Sequence, residues 1–146
     1  MSERTVFHSM ARRHVVSLGP QATVHEAACV MTSANCDSVL VIDPAGKLLG
    51  IVTERDLMTR VLVKALDPAT TTLAAVMTRN PQCVPPDTKV ADAVVIMIER
   101  GFRHLPVVAE GEKIVGVFSA SDALPREMRA AESIAEFHQQ VNDALG

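Results

Sequence analysis

Two similar stretches of sequence decide the fold of this chain. Gly50-Ile51-Val52-Thr53-Glu54-Arg55-Asp56 returns 66 residues later as Gly116-Val117-Phe118-Ser119-Ala120-Ser121-Asp122. The same offset needs no gap from Met10 to Met58, and it also matches Pro20 with Pro86, Val24 with Val90, Ala27 with Ala93, Met31 with Met97, Val41 with Val107 and Lys47 with Lys113. This regularity predicts one supersecondary unit used twice, each unable to bury its apolar face alone. We expect two such units to pack about a pseudo-twofold axis and to leave related clefts for function.

The composition predicts one compact domain with an aliphatic core. The chain has 146 residues, of which 48% are hydrophobic, with no Tyr or Trp and 4 Phe. The net charge of −3, without a long basic run, argues against general binding to a nucleic-acid backbone. The longest apolar stretch, residues 93–98, is too short for a bilayer, and the first residues do not form a signal peptide. We therefore expect a soluble cytoplasmic protein without membrane or nucleic-acid partners.

The sequence shows no pattern typical of an enzyme or a metal site. The three cysteines have neither metal-ligand spacing nor a CxxC pair, and their odd number argues against a disulfide framework. There is no phosphate-cradling GxxxxGK loop and no GxSxG motif. His8, His14 and His25 are scattered without nucleophile–base spacing. The predictions are no enzyme activity, no catalytic or metal-binding residues, and no required cofactor.

Both units are predicted to follow the order strand, helix, strand, strand, helix. In the first unit, the apolar spacing of Val24, Ala27, Ala28 and Met31 predicts an amphipathic helix. Its other predicted elements are strands near 15–17, at 38–42 and at 48–52, a turn at 43–46, and a helix from 53 to about 66. The second unit has corresponding strands at 82–84, 105–108 and 114–118, a turn at 110–112, and a helix that bears Val90, Val94, Met97 and Ile98 and ends at Gly101.

The C-terminal residues 125–146 belong to neither copy. Pro125 is predicted to interrupt the last helix of the second unit, because a mid-helix proline removes a hydrogen bond. The helix that follows carries along one side Ile134, Phe137, His138, Val141 and Leu145. This apolar side has two interpretations: it covers the chain's own core, or it packs on a partner subunit.

The pattern resembles a tandem pair of cystathionine-β-synthase (CBS) domains over about residues 8–125. The resemblance rests on the two strand-to-helix signatures and on the strand opening Gly101-Phe102-Arg103-His104-Leu105-Pro106-Val107. It implies an α+β (α/β) fold of two β-α-β-β-α repeats packed about a pseudo-twofold axis, followed by a C-terminal helix. The expected boundaries are 8–66 for repeat one, 67–75 for the linker, 76–124 for repeat two and 125–146 for the C-terminal helix.

The pairs Thr53…Asp56 and Ser119…Asp122 have two interpretations. A Ser or Thr followed three residues later by an acid is close to a capping box, which needs no ligand. In the second interpretation, the carboxylate is favoured by the helix macrodipole and also accepts hydrogen bonds from a cis-diol such as ribose. Recurrence of the pair after matching strands favours a ligand. The resemblance implies that these positions hold ribose hydroxyls, as in nucleotide-binding CBS pairs.

The resemblance also implies that each cleft combines the Ser/Thr-x-x-Asp pair of one unit with strand openings of the other. Cleft A is then formed by Thr53, Asp56, Thr78, Cys83, Arg103, His104 and Pro106, with Arg55 as a weaker phosphate candidate. Thr78 is expected to serve a phosphate, Cys83 to flank the base and Arg103 to neutralise charge. For Arg103 and His104, the alternative is an exposed Arg and a satisfied His at a strand edge.

Cleft B has a different chemistry. It is expected to be formed by Ser119, Asp122, Arg12, Ser17, Asp37 and Ser38. The carboxylate of Asp37 stands where cleft A has Arg103, and it disfavours phosphate, although Arg12 and Arg13 can compensate. We predict that cleft A binds a phosphorylated adenosine compound and that cleft B binds weakly, binds something less charged, or stays empty.

The resulting functional hypothesis is a stand-alone regulatory module. It binds an adenine nucleotide of the AMP, ADP or ATP class, or a related adenosyl ligand, and transmits occupancy to an unknown target protein or to its own dimer. The alternative is a structural or oligomerisation module with degenerate, empty clefts. The resemblance implies a homodimer formed through helices, and the chain has several apolar helix faces to cover.

Overall fold

The chain forms two compact units. One is a continuous middle segment, and the other combines segments from both ends of the sequence. A computed structural model describes residues 3–10 and 15–146. The first-repeat unit comprises Val15–Pro81, and the second-repeat unit combines residues 3–10 with Gln82–Gly146. Each unit contains the repeat that the 66-residue offset predicts, and the second also takes a segment that precedes the first repeat. The mixed helix and strand content confirms the predicted fold class.

The first-repeat unit contains a sheet of four strands in the order β1-β2-β3-β4. The strands are β1 Ser17–Leu18, β2 Ser38–Ile42, β3 Leu48–Thr53 and β4 Thr78–Arg79. β1 pairs with β2 in parallel, whereas β2–β3 and β3–β4 are antiparallel. The predicted first strand lies slightly later than expected, and β4 was not expected as a strand of this sheet.

The two long helices of the repeats correspond residue for residue. They are α2 Val24–Ala34 in the first-repeat unit and α5 Val90–Arg100 in the second. α2 begins at Thr23, whose hydroxyl accepts the Glu26 N–H at 3.1 Å, and α5 ends at Gly101 with φ 80°, as predicted for its C-cap. Their buried residues confirm the predicted apolar faces at most positions, but Ala28 is only half-buried and the prediction was wrong for Ile98, which is exposed.

The two hairpins also match. In the first, the Asp43 carboxylate accepts the N–H groups of Ala45 and Lys47 at 2.9 and 2.8 Å, and Gly46 has φ 90°. In the second, β5 His104–Ala109 and β6 Lys113–Ser119 are joined by a 3₁₀ turn over Glu110–Glu112. Both hairpins shift register at the same place in the repeat, after Val41 and after Val107. The predicted hairpins are therefore confirmed.

The predicted strand at residues 82–84 is wrong except at one residue. Val84 forms an isolated parallel bridge with Val107, donating to the Pro106 carbonyl at 3.0 Å and accepting from the Val108 N–H at 3.0 Å. Prolines at positions 81, 85 and 86 flank this point and have no N–H to donate. The bridge therefore does not extend into a strand.

The segments after the two motifs differ most from expectation. The predicted long helix from residue 53 is a short α3, Glu54–Asp56, that continues as a π-helix over Leu57–Leu62. The second motif instead ends as a 3₁₀ turn over Ala120–Asp122, and Pro125 is the first residue of α6, Pro125–Leu145. Proline suits the first helical position, where no intrahelical N–H bond is lost. Pro125 therefore starts the last helix instead of lying within a longer one.

Two short helices occupy equivalent places in the two units. α1, Val6–Ser9, precedes the first repeat in sequence, but it packs in the second-repeat unit, where Thr5 bridges Lys89. α4, Leu73–Val76, lies in the first-repeat unit, where Thr72 bridges Thr23. Val6 and Leu73 are both fully buried. The core of each unit therefore includes a short helix that lies, in sequence, outside the repeat that the 66-residue offset defines for that unit.

The two halves of the C-terminal helix α6 differ in burial. Near its start, Ala131 is fully buried in the core of the second-repeat unit, and Met128 packs against that core. Farther along, Phe137 is 62% exposed and Leu145 is 83% exposed. The first half of α6 therefore covers its own unit, while the apolar face of the second half is open in the single chain. Within the described residues, no helix has the length and apolar character needed to cross a membrane.

Candidate functional site

The first motif forms a reciprocal helix cap at the end of β3. The Thr53 hydroxyl accepts the Asp56 N–H at 3.3 Å, and the Thr53 N–H donates to Asp56 Oδ2 at 2.9 Å. This is the capping box that the spacing predicts. Because the Thr53 N–H occupies only Oδ2, the cap leaves acceptor sites on the Asp56 carboxylate for another donor.

The second motif repeats the carboxylate bond of this cap, but its hydroxyl accepts the N–H of the second residue instead of the third. The Ser119 N–H donates to Asp122 Oδ2 at 2.9 Å, and the Ser119 hydroxyl accepts the Ser121 N–H at 3.4 Å. Ser119 Oγ also lies 3.1 Å from Ser121 Oγ. Both motif carboxylates are half-buried at the start of a helical turn. The capping interpretation is therefore correct for both pairs, and it leaves the ligand interpretation open.

Gly50 lets β4 approach the first motif closely. A Cβ at this position would lie 2.7 Å from both Met77 Sδ and the Thr78 carbonyl oxygen. Thr78 pairs with Ile51 in the β3–β4 ladder, and Thr53 is two residues farther along β3. Directly opposed residues and residues two apart share a face of the sheet. The first-repeat unit therefore brings the predicted residues Thr53 and Thr78 to one face of the sheet, and Asp56 contacts the end of β3 through the Thr53 N–H.

The hairpin register places each strand opening opposite the motif of its own unit. Ser38 pairs with Thr53 in the first-repeat unit, and His104 pairs with Ser119 in the second. The Arg103 carbonyl also accepts the Ala120 N–H at 3.0 Å, as the Asp37 carbonyl accepts the Glu54 N–H at 3.0 Å. The sequence-based prediction placed each strand opening with the motif of the other unit and did not include its pairing with the motif of its own unit. The predicted hairpins could have indicated this pairing.

The other residues predicted for cleft A occupy both units. Arg55 is exposed in the first turn after Thr53. In the second-repeat unit, Arg103 is exposed, Pro106 is buried in β5 and Cys83 is half-buried beside Val84. Burial raises the pKa of the Cys83 thiol, so it remains a neutral, weakly polar group near neutral pH. Such a group suits the predicted contact with a base.

The residues predicted for cleft B are also divided between the units. Ser17 is exposed and Asp37 is half-buried, whereas Ser38 is buried within β2 with 7% exposure. Arg12, like Arg13, lies outside the described residues. Among the residues that the structure describes, no three His, Cys, Asp or Glu side chains are grouped so that they could hold a metal ion.

Two arginines near the motifs were not predicted. In the first-repeat unit, Arg60 Nε lies 3.6 Å from Asp56 Oδ1, and its Nη1 donates to the Val76 carbonyl at 2.8 Å. In the second, Arg4 Nη2 donates to the Asp122 carbonyl at 3.1 Å and to Glu127 Oε1 at 2.6 Å. The i,i+4 spacing of Asp56 and Arg60 was a usable signal, whereas nothing in the sequence connects Arg4 with Asp122.

The fold and the two motifs define a class of protein: a tandem α+β repeat in which each hairpin ends in a hydroxyl–carboxylate cap. The CBS domain family matches residues 7–63 and 73–128, and the chain belongs to this family. It is 38% identical over 133 residues to the Arabidopsis thaliana CBS domain-containing protein CBSCBSPB2, covering 89% of this chain and 25% of that protein. The chain spans a quarter or less of the length of the first curated relatives that it matches.

Solved structures of CBS domain proteins have the same fold. A crystallised CBS domain is 31% identical, with a TM-score of 0.75, and the match covers 83% of this chain and 94% of that chain. A CBS domain protein from Pyrobaculum aerophilum in complex with AMP has a TM-score of 0.78, with 89% of this chain and 99% of that chain covered. This second protein is 22% identical, so the likeness concerns the fold. AMP is the ligand of that protein.

Proposed function

We propose that this chain is a regulatory module that binds an adenosine-containing nucleotide of the AMP, ADP or ATP class. Thr53 and Asp56 contact the ribose hydroxyls, and Thr78 contacts a phosphate. Occupancy then changes the affinity for a target protein or for a second copy of the chain. The protein acts in the cytoplasm, where these nucleotides are abundant, and it is not an enzyme.

The geometry of the first motif is the observation that carries this proposal. Its carboxylate uses one contact of Oδ2 for the cap, at 2.9 Å from the Thr53 N–H. A carboxylate offers about four acceptor sites, so the cap and a vicinal diol do not compete for the same ones. Thr78 lies on the same face of the β3–β4 ladder. A hydroxyl, a carboxylate and a second hydroxyl are thus available at the end of one sheet face.

The second-repeat unit supplies the positive charge and the apolar contact in this proposal. Arg103 is exposed at the opening of β5, where its guanidinium is available for a phosphate. The half-buried Cys83 provides a weakly polar contact for a base. His104 is half-buried and lies two residues before Pro106, which is buried in β5. The first-repeat unit has Asp37 at the position of Arg103. We therefore propose that Asp56 serves the phosphorylated ligand and that Asp122 serves a weaker or less charged one.

A thermal unfolding panel tests the binding proposal. Purified protein is heated with AMP, ADP, ATP or S-adenosylmethionine, because a ligand that binds only the folded state stabilises it by about 2.7 kcal/mol at 100 times its Kd. For a chain of this length, that corresponds to a rise in Tm of roughly 5–10 °C. Mass spectrometry of the compounds released on denaturation identifies any ligand that copurifies.

The control variants separate ligand binding from helix capping. Asp56→Asn keeps the shape of the side chain and removes its charge, and we expect it to abolish the shift in Tm. Asp67→Asn is the matched control, because Asp67 also uses a carboxylate oxygen on a local N–H, that of Ala69 at 3.0 Å. A panel in which no adenosine compound raises the Tm of the wild-type protein contradicts the proposal. Hydrolysis of an added nucleotide would contradict its non-enzymatic part.

The structural or oligomerisation alternative has its own supporting observation. The outer half of α6 leaves Phe137 62% exposed and Val141 38% exposed, and the π-helix of the first-repeat unit leaves Leu62 70% exposed. Apolar helix faces of this kind are common in dimers, and we propose a homodimer. Light scattering on the wild type and on Phe137→Ser measures it. A nucleotide-independent dimer together with no Tm shift in the panel favours the structural alternative.

A further inference from the structure

The Arg60 guanidinium contacts both Asp56 of the proposed site and the end of α4. Its Nη1 donates to the carbonyl of Val76 at 2.8 Å, and its Nε lies 3.6 Å from Asp56 Oδ1. Val76 is the last residue of α4 and is followed two residues later by Thr78, the first residue of β4. The guanidinium therefore joins the end of α4 to the carboxylate proposed for the ribose.

Each oxygen of the Asp56 carboxylate faces a protein group. Oδ2 accepts the Thr53 N–H at 2.9 Å, and Oδ1 faces the Arg60 guanidinium. The side chain of Asp56 is 14% exposed and that of Arg60 is 42% exposed. A carboxylate with one protein partner can still rotate about its last bond, whereas partners on both oxygens define its plane. The Arg60 guanidinium thus favours one orientation of the acceptor sites that remain.

The backbone that carries Arg60 has an unusual conformation. Arg60 lies within the π-helix Leu57–Leu62, where the Val63 N–H donates to the Met58 carbonyl at 3.0 Å, five residues earlier. π-helical turns are rare and less favourable than α-helical ones, and they occur often at functional sites. Here the widened turn carries the guanidinium that reaches both Asp56 and the Val76 carbonyl.

The second-repeat unit lacks this arrangement among its described contacts. The position 66 residues after Arg60 is Arg126, which follows Pro125 in the first turn of α6 and is exposed. The cation that reaches Asp122 is Arg4, and its hydrogen bond is to the backbone carbonyl. Within the described contacts, the link between the motif carboxylate and the end of α4 is therefore a feature of the first repeat.

We infer that Arg60 is a positioning residue for ribose recognition: it holds the Asp56 carboxylate and the segment from Val76 to Thr78 in the arrangement that a ligand with a cis-diol needs. This inference rests on the proposed function. It assigns Arg60 no contact with the phosphate. Arg60 thus differs from Arg55 and Arg103, which are proposed to act through their charge on the ligand itself.

Paired ligands test the role of Arg60. Isothermal titration measures AMP, 2′,3′-dideoxy-AMP and adenosine with wild type, Arg60→Gln and Arg60→Lys. We expect Arg60→Gln to weaken AMP and adenosine about tenfold, or about 1.4 kcal/mol, and to leave the affinity for the dideoxy compound unchanged. Arg60→Lys should recover part of the loss, because an ammonium group keeps the charge beside Asp56 but cannot contact Asp56 and the Val76 carbonyl at the same time. Lys64→Gln, an equal charge change at an exposed position nearby, should have no effect.

Two outcomes of the titration overturn the inference. An equal loss for AMP and dideoxy-AMP means that Arg60 has only a general structural role. A loss for AMP without a loss for adenosine means that Arg60 contacts the phosphate. In the ligand-free protein, amide hydrogen exchange of Thr53 and Asn80 should be at least tenfold faster in Arg60→Gln, since these N–H groups bond to Asp56 and to Leu49 across the β3–β4 region.

The exchange experiment separates failure of the inference from failure of the proposed function. Unchanged exchange at Thr53 and Asn80 contradicts the positioning role whether or not any nucleotide binds. Faster exchange without nucleotide binding to the wild type retains the link through Arg60 and rejects the proposed ligand class.

Discussion

The two repeats have the same carboxylate cap after their hairpins, but different residues contact the capping aspartate. In the first-repeat unit, the helix after Asp56 continues through Leu57–Leu62, and Arg60 from that helix faces the carboxylate. In the second, the turn ends at Asp122, and Arg4 from the N-terminal segment donates to the carbonyl of that residue. The cap is shared, but the neighbouring cation differs in its origin and in the atom that it contacts.

This difference shows where a duplicated sequence permits divergence. The cap depends on contacts within four residues, so both copies keep it through the same residue types. The support depends on distant chain segments, and Pro125 changes which segments are available in the second copy. The chemical asymmetry between the copies therefore extends from the strand openings, Asp37 and Arg103, to the groups behind the motif carboxylates.

Removal of the N-terminal segment is the strongest test of this difference. A variant without residues 1–10 loses buried Val6 and Met10 and the bond from the Val90 N–H to the Arg4 carbonyl at 3.0 Å. We expect the free energy of unfolding to fall by about 3–6 kcal/mol, since each buried side chain contributes about 1.5–3 kcal/mol. Urea denaturation measures it. Removal of Leu145 and Gly146, which are exposed, should leave the midpoint unchanged, and an equal effect of both truncations would contradict the assignment of α1 to the second core.

Gly50→Ala tests the close approach of β4 to the first motif. The added Cβ would lie 2.7 Å from Met77 Sδ and from the Thr78 carbonyl oxygen, so β4 must move. Overpacking of this kind costs about 1–3 kcal/mol, and we expect it to weaken AMP binding as well. Gly19→Ala is the matched control, because a Cβ added at Gly19 would meet nothing within 4 Å and no unusual φ is required. Equal stability of the two variants by thermal unfolding would show that the approach is not constrained.

The pH dependence of stability tests the support of the second motif. The hydrogen bond from Arg4 lowers the pKa of Glu127 below its ordinary value. A lowered folded-state pKa stabilises the fold above the ordinary glutamate pKa of about 4.3, and this contribution disappears as the pH falls from there through the folded-state pKa. Arg4→Gln should therefore be about 1 kcal/mol less stable than wild type at neutral pH, and the difference should shrink below a pH of about 4.3.

The control for this prediction is an exposed ion pair in the same unit. Lys89 Nζ lies 3.1 Å from Glu3 Oε2, with both side chains more than half exposed. Such pairs contribute little, so Lys89→Gln should match wild type across the pH series. A difference between Arg4→Gln and wild type that persists unchanged into acid would mean that the Arg4–Glu127 bond is not its source.

The sequence was sufficient for the parts of the fold that depend on local chemistry. The apolar faces of α2 and α5, the Asp43 turn and the Gly101 cap follow from apolar spacing and from turn residues. The capping boxes follow from spacing alone. These features require no knowledge of distant residues.

The remaining features depend on contacts between distant parts of the chain. Arg4 and Asp122 are 118 positions apart, and the assignment of α1 to the second core rests on bonds such as that from Val6 N–H to the Thr88 carbonyl at 2.8 Å. The π-helix that carries Arg60 has the same residue types as an α-helix. No local pattern predicts the π-helix or the contact of Arg4 with Asp122, so these features became visible only in the structure. The i,i+4 spacing of Asp56 and Arg60 is the one local signal for a motif support.

Isothermal titration of AMP into matched motif variants tests the central claim most directly. Asp56→Asn and Asp122→Asn change the same residue type in the same cap, one in each repeat. We predict that Asp56→Asn weakens AMP binding at least 100-fold, or about 2.7 kcal/mol, and that Asp122→Asn changes it by less than about threefold. Unaltered binding in Asp56→Asn together with loss of binding in Asp122→Asn would contradict this claim.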